Sequence, residues 1–447
     1  MRTPIFDFVS EYTRRDPLRL HMPGHKGIPL LGCEARDITE IGGADVLYAA
    51  DGIIAESEAN AASLFGVART LYSTEGSSLV IRAMLALLRS YAEELGRPAR
   101  LLAARNVHRS FLYGAALLDL EVDWLESEAN ADLLSLSLDE QALSAALDGA
   151  REKPLALYLT APDYLGNLPD LRRIAALCHA RGVLLVVDNA HGAYLSFLSP
   201  SRHPMALGAD LCADSAHKTL PVLTGGAYLH VSPTAPSFFA ERAPEALSLF
   251  ASSSPSYLIL QSLDLCNRYL AEGYAERLKA FACEVDALKG RLSARGFSLV
   301  GDEPLKLTVR AKPYGYTGDE LAAYLSSQGI EPEFHDPDYL TLMLTPEIGK
   351  AALARLESAL SALPRRDAID APPPCVPHAR RACSIRRALF APSETVSLDG
   401  AQGRVLSSAV ISCPPAIPIC ICGEEIDGEA IRCFDYYGIR EIRVCKE

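Results

Sequence analysis

Short apolar runs of strand length alternate with helical patterns through the first half of this chain, and few folds accommodate that alternation. Leu101-Leu102-Ala103-Ala104, Leu155-Ala156-Leu157-Tyr158-Leu159-Thr160 and Val183-Leu184-Leu185-Val186-Val187-Asp188 read as buried strands, the last rich in β-branched residues. Leu79 to Leu95 and Leu171 to Arg181 carry helical periodicity. Strands that alternate with helices imply βαβ units and a parallel sheet.

Two turns that follow such strands carry the chemistry. The strand ending at Asp188 runs into Asn189-Ala190-His191-Gly192, and Lys218 stands thirty residues further on, in Ser215-Ala216-His217-Lys218-Thr219-Leu220-Pro221. A lysine amine can form an imine with the aldehyde of pyridoxal phosphate. A carboxylate at a strand end can keep the pyridine nitrogen protonated, so that the ring acts as an electron sink. Taken singly, Asp188 reads as a turn former and Lys218 as one more solvated lysine. Neither plain reading explains why both stand in turns rich in histidine or glycine after successive strands.

The phosphate of such a cofactor needs backbone amides and hydroxyls where a glycine-containing turn opens a helix. Ser73-Thr74-Glu75-Gly76-Ser77-Ser78, directly before the Leu79 helix, supplies them, although a cluster of this kind alone is usually an N-cap. Ser215 and His217 flank the lysine closely enough to reach the same phosphate. His108, in Arg105-Asn106-Val107-His108-Arg109-Ser110 just past a strand, is placed to stack on the pyridine face. His191 is expected to bond Asp188 or the cofactor hydroxyl, or to move protons near the imine.

Composition removes other classes. A net charge of -13 over 447 residues argues against a nucleic-acid surface, which usually presents a basic face. No run of about 18 uncharged apolar residues predicts a membrane span, and Met1 to Phe8 lacks an apolar core and a cleavage site, so a cytoplasmic location is expected. The twelve cysteines are scattered, which favours reduced thiols. Cys413, Cys420, Cys422 and Cys433 lack paired Cys-x-x-Cys spacing, and buried thiols rather than a metal are expected there.

Further breaks divide the chain. Residues 1–30 read as an arm ending in His21-Met22-Pro23-Gly24-His25-Lys26-Gly27, and 31–260 as the cofactor-binding domain, with one more strand at Gly225 to Val231. Residues 261–297 hold bridging helices. Over 298–365, alternation at Leu305 to Val309 and Tyr339 to Leu344 around a helix at Gly318 to Ser327 predicts a small α+β unit. A Pro-rich linker, 366–385, includes Ala371-Pro372-Pro373-Pro374 and precedes a last segment, 386–447.

At these residues the chain resembles the Orn/Lys/Arg decarboxylase family, the bacterial amino-acid decarboxylases of the aspartate-aminotransferase fold. The resemblance runs from Leu20-His21-Met22-Pro23-Gly24-His25-Lys26-Gly27 through Asp37-Ile38-Thr39-Glu40-Ile41 and Ala59 to Gly66, to the Asp188 and Lys218 motifs. It continues at Ser254-Pro255-Ser256-Tyr257, Ala391-Pro392-Ser393-Glu394-Thr395-Val396 and Pro414-Pro415-Ala416-Ile417-Pro418. It implies an α/β fold of the PLP-dependent transferase type, with a large, mainly parallel seven-stranded sheet domain and a small α+β C-terminal domain. It also implies a homodimer or larger homo-oligomer whose active site is completed across the interface, in the short form without an N-terminal wing. The chain departs from the family pattern at Glu75, where asparagine is usual, and at Asn189, where glutamate is usual. It departs again at Ala161-Pro162-Asp163-Tyr164 and at Ile421-Cys422-Gly423-Glu424.

The activity implied is α-decarboxylation of a basic L-amino acid, lysine, ornithine or arginine. Lys218 and Asp188 would carry the cofactor chemistry, and His217 or Lys218 would return a proton to the α-carbon. A cationic side chain needs a carboxylate partner, for which Asp163 and Glu424 are the candidates. On the residues alone, an aminotransferase or lyase of the same fold stays open, as does a cofactor-binding homologue without turnover.

Overall fold

The computed structural model describes residues 1–125, 133–136, 138–150, 152–377, 379–409 and 417–446. Its contacts divide the chain into two units, residues 1–97 with 184–277 and residues 98–183 with 278–447. Seven strands form the larger sheet: β1 (Arg69–Ser73), β2 (Arg100–Ala103), β3 (Glu121–Trp124), β4 (Ala156–Thr160), β5 (Leu184–Asp188), β6 (Leu211–Asp214) and β7 (Ala227–Val231). The strands of the first unit run in the order β1-β7-β6-β5 and those of the second β4-β2-β3.

Pairing in this sheet is mainly parallel. β5 and β6 are parallel with Asp188 opposite Ala213, and β2 is parallel to both β3 and β4. In the first unit β7 runs antiparallel to β1 and to β6. Leu185, Val186 and Val187 are fully buried, as expected of a strand covered on both faces. Strands β1, β3 and β6 escape the sequence reading for identifiable reasons. β6 is four residues, Leu-Cys-Ala-Asp, with no β-branched side chain, and β3 (Glu-Val-Asp-Trp) is partly exposed. β1 carries Thr70 and Ser73 buried beside Leu71 and Tyr72, so its polarity pattern conceals its burial.

In the first unit the arm is anchored by a helix, Pro4–Arg15, which begins with proline at its first position, where no backbone donor is lost. Ile5, Val9 and Tyr12 are its buried face, spaced one and two turns apart. Asp264 accepts the Phe6 amide at 2.9 Å and the Ser57 hydroxyl at 2.6 Å, tying the arm to the helix Tyr257–Ala271.

The second unit carries an antiparallel sheet of β8 (Ser298–Val300), β9 (Lys306–Arg310), β10 (Phe334–His335) and β11 (Tyr339–Met343), in the order β10-β11-β9-β8. Its helix Gly318–Ser327 opens with a capping box in which Thr317 Oγ1 accepts the Glu320 amide and Glu320 accepts the Thr317 amide. Such a cap is worth about 0.5–2 kcal/mol. The last segment pairs β12 (Ser393–Ser397) with β13 (Glu441–Cys445) over a core that includes Leu406, Ile419, Ile426, Phe434 and Val444. Cys420, Cys422 and Cys433 are buried thiols here, whereas Cys413 and Pro414-Pro415-Ala416 lie outside the described residues. Among the described residues no helix is long and apolar enough to cross a membrane.

Candidate active site

Parallel α/β sheets place ligands beyond the carboxyl ends of their strands, and in the first unit three polar segments collect there. β1 ends at Ser73, and Gly76 starts the helix Gly76–Glu94 with φ +73°, a conformation that costs glycine little. The Gly76 amide bonds Gly225 O at 2.7 Å, and a Cβ on Gly225 would lie 2.8 Å from Thr74 O, so the turn needs glycine on both sides. Ser73 Oγ accepts the Glu75 amide at 3.1 Å, and Ser215 Oγ donates to Ser77 Oγ at 2.6 Å, joining the two serine segments. Glu75 is occupied elsewhere, accepting the Ser252 amide at 2.7 Å. Ser78 is in the first turn of the same helix.

Asp188 closes β5 at 1% exposure, and its Oδ1 accepts the Ala190 amide at 3.2 Å. In the same turn, His191 Nε2 lies 3.1 Å from Lys218 Nζ. Lys218 stands on the single helical turn Ala216–Thr219 that follows β6. His217 Nδ1 is 2.9 Å from Gly226 O and so carries the proton on that nitrogen, turning the ring toward the β7 strand entrance. The sheet register thus draws the Asp188 and Lys218 turns together, because β5 and β6 are adjacent and parallel.

A buried network behind these turns has no counterpart in the sequence reading. Asp214, the last residue of β6, takes His203 Nε2 at 2.9 Å and His230 Nε2 at 3.2 Å on Oδ2, and the Asn189 amide at 2.7 Å on Oδ1. All four side chains have zero exposure. Burial by itself would raise the Asp214 carboxyl, but the two histidines outweigh it and hold the group well below the usual carboxylate range. Burial lowers His230 despite that carboxylate. The available signal was the acid one residue before Ser215-x-His-Lys, but His203 and His230 are brought to it only by folding.

The remaining candidates belong to the second unit, and there the structure assigns their contacts differently. His108 caps the helix Arg109–Leu117, its Nδ1 accepting the Ser110 amide at 3.2 Å. Asp163 and Glu424, expected to receive the substrate cation, are committed to internal bonds instead. Asp163 accepts the Leu136 and Asn167 amides and the Asn167 side chain at 2.7–2.9 Å, and burial raises its pKa. Both Glu424 oxygens take the Arg105 guanidinium, at 2.8 and 2.9 Å, and Oε2 also takes the Ile421 amide at 2.7 Å. Each carboxylate closes a loop of the protein, Asp163 around Asn167 and Glu424 around Ile421.

Among the described residues, Asn189 Oδ1 and Thr219 Oγ1 of the first unit are buried beyond the strand ends without a hydrogen-bond partner. Unsatisfied buried acceptors and hydroxyls at such positions are costly unless a ligand uses them. With the Ser73 to Ser78 turn, a buried carboxylate and a lysine in one unit, the donor set fits a phosphorylated pyridine aldehyde.

Comparison with known proteins agrees with that chemistry. Residues 3–295 match the profile described as Orn/Lys/Arg decarboxylase, major domain, and residues 375–442 match that of Orn/Lys/Arg decarboxylase, C-terminal domain. The chain is 30% identical to an arginine decarboxylase of Halalkalibacterium halodurans over 95% of its own length and 91% of the relative's. It is 28% identical to the uncharacterized protein YaaO of Bacillus subtilis, over 97% and 93%. The crystal structure of the Francisella novicida lysine decarboxylase LdcF superposes with a TM-score of 0.79 at 16% identity, covering 99% of this chain and 81% of that one.

Proposed function

This chain belongs to the Orn/Lys/Arg decarboxylase family and is a pyridoxal-phosphate-dependent amino-acid decarboxylase; we propose that its substrate is lysine, ornithine or arginine and that Lys218 and Asp188 are its working pair. The observation that carries the assignment is the approach of Lys218 Nζ to His191 Nε2 at 3.1 Å, in the turn that begins at buried Asp188.

When bound, the cofactor supplies an electron sink for the pair of electrons left when the α-carboxylate departs. The residues around it do the rest. Lys218 would hold its aldehyde carbon, Asp188 its ring nitrogen, and the Ser73, Thr74, Gly76, Ser77 and Ser78 turn its phosphate, with Ser215 and His217 beside them. Asp188 would favour the protonated ring nitrogen, each pKa unit of that preference being worth about 1.4 kcal/mol. His191, in contact with Lys218 Nζ, takes or returns the proton of that amine, and His217 or Lys218 delivers one to the α-carbon.

The enzyme is further inferred to work as a homodimer or a higher homo-oligomer in the cytoplasm. Leu18, Leu20 and Leu30 of the arm and Leu31 directly after it are 81–90% exposed, a density of bare leucine that a second copy of the chain would cover. Incubation with pyridoxal phosphate and, separately, lysine, ornithine and arginine is expected to release carbon dioxide with cadaverine, putrescine or agmatine from one of them. Lys218→Ala is expected to abolish that release. Product from this variant, or a 420 nm cofactor band with no amine from any substrate, would overturn the assignment.

A further inference from the structure

We propose that Asp214 is a positioning residue: through Asn189 it braces the turn that carries Asp188 and His191 against Lys218. The effect on turnover rests on the decarboxylase assignment, whereas the brace itself is a property of the protein without cofactor.

Hydrogen-bond logic determines the protonation of the network. His203 Nδ1 accepts the Met205 amide, so the ring proton sits on Nε2 and is donated to Asp214. His230 Nδ1 lies 2.9 Å from Thr70 Oγ1; burial favours the neutral ring, and with its one proton on Nε2 toward Asp214 the hydroxyl donates to Nδ1. Both imidazoles are therefore neutral donors, and Cys212 Sγ adds a further weak one at 3.5 Å. Asp214 is the anion on which they converge.

That anion orients Asn189. Only the amide nitrogen can face a carboxylate, so Nδ2 points at Asp214 Oδ1 and Oδ1 is turned toward Gly192, where a Cβ would overlap it. The Asn189 main chain is held as well, its amide on Ala213 O at 2.9 Å and its carbonyl accepting the Gly192 amide at 2.9 Å. The turn from 188 to 192 is thus braced through backbone and side chain together, and His191 leaves it pointing at Lys218.

The same three groups, His203, Asp214 and His230, are close enough to hold a metal ion. Their hydrogen bonds argue otherwise. A nitrogen that ligates a metal gives up its proton, and the Met205 amide already occupies the lone pair of the other His203 nitrogen. The cluster is a brace built from neutral donors around one carboxylate.

The test uses D214N, N189D and the exchange variant N189D/D214N. In D214N an amide replaces the anion, so an NH2 group meets donors unless Asn189 flips. In the exchange variant the amide introduced at position 214 donates to the carboxylate introduced at position 189, and its oxygen accepts both histidines, so every bond but the weak one from Cys212 is kept. Nitrogen-15 NMR of the cofactor-free protein is expected to show His203 and His230 as neutral Nε2–H tautomers. His191 resonances should move in D214N and N189D and return in the exchange variant. With pyridoxal phosphate and substrate, turnover by D214N should fall about 10- to 100-fold, the range typical of residues that orient a working side chain, and recover in the exchange variant. Unmoved His191 resonances in D214N, an exchange variant no better than D214N, or histidine resonances that shift on adding zinc ion would each overturn the proposal. If D214N does not fold, N189D and the exchange variant carry the same comparison. If the parent protein makes no amine, the decarboxylase assignment falls and the brace is judged on the His191 resonances alone.

Discussion

Replacing Glu424 by Gln removes the charge from a carboxylate whose oxygens are both bound to Arg105, in a site where the two side chains are 5% and 10% exposed. At an effective dielectric near 20, opposite charges about 4 Å apart attract by about 4 kcal/mol. Losing one member of a buried pair costs about 3–5 kcal/mol, because the survivor stays desolvated. Glutamine keeps one acceptor for the guanidinium, which places the loss near the lower end, about 3 kcal/mol. The pair lies in a unit of roughly 250 residues, for which each kcal/mol moves the midpoint by about 2–4 °C, so a drop of about 6–12 °C is expected. Thermal unfolding followed by circular dichroism measures it, and the apolar pair R105M/E424L should recover at least half of the loss. A Glu424→Gln protein with an unchanged midpoint but a KM for a basic amino acid raised tenfold would refute the reasoning and return Glu424 to the substrate.

Two substitutions in the first unit, and one in the second as a control, test other parts of the protein. Burial holds the Asp264 carboxyl up at about 6, against its hydrogen bonds from Phe6 and Ser57. The folded protein thus keeps this proton to higher pH than the unfolded chain, so the stabilising effect is complete below about 3.8 and lost as pH rises through about 6. Asp264→Asn, which is neutral throughout, should gain up to about 3 kcal/mol at pH 8 and nothing below pH 4; urea midpoints that shift equally at both pH values would contradict this. Gly192→Ala, whose methyl group would overlap Asn189 Oδ1, should cost about 1–3 kcal/mol and weaken pyridoxal phosphate binding measured by absorbance titration. Gly290→Ala, in the helix Tyr274–Ala294 with no atom within 4 Å, is the control and should gain about 0.5–1 kcal/mol; equal losses at the two sites would remove the steric argument.

Much of the large domain was legible because its signals are local. The β-branched run into Asp188, the glycine and serine turn before Leu79 and the Ser-x-His-Lys string each declare a structure within a few residues, and helices and strands formed close to where periodicity placed them. The small antiparallel sheet was legible for the same reason, from alternation at Leu305 to Val309 and Tyr339 to Leu344. Strand β6 was not, since four residues without a β-branched side chain become a strand only through neighbours on both sides.

What the chain determines by itself is the kind of chemistry: an amine, an acid and an anion-binding turn, each on a segment whose local preference presents it after a strand. Which charges are spent inside the protein was decided by tertiary structure alone. Asp163 and Glu424 resemble exposed acids when read along the chain, yet folding brings amides and a guanidinium from distant segments onto them, and a buried carboxylate must take such partners. His203, Asp214 and His230 lie far enough apart in sequence to read as unrelated, and they meet because strand pairing sets β7 beside β6 and drives three polar groups into a core that water cannot reach.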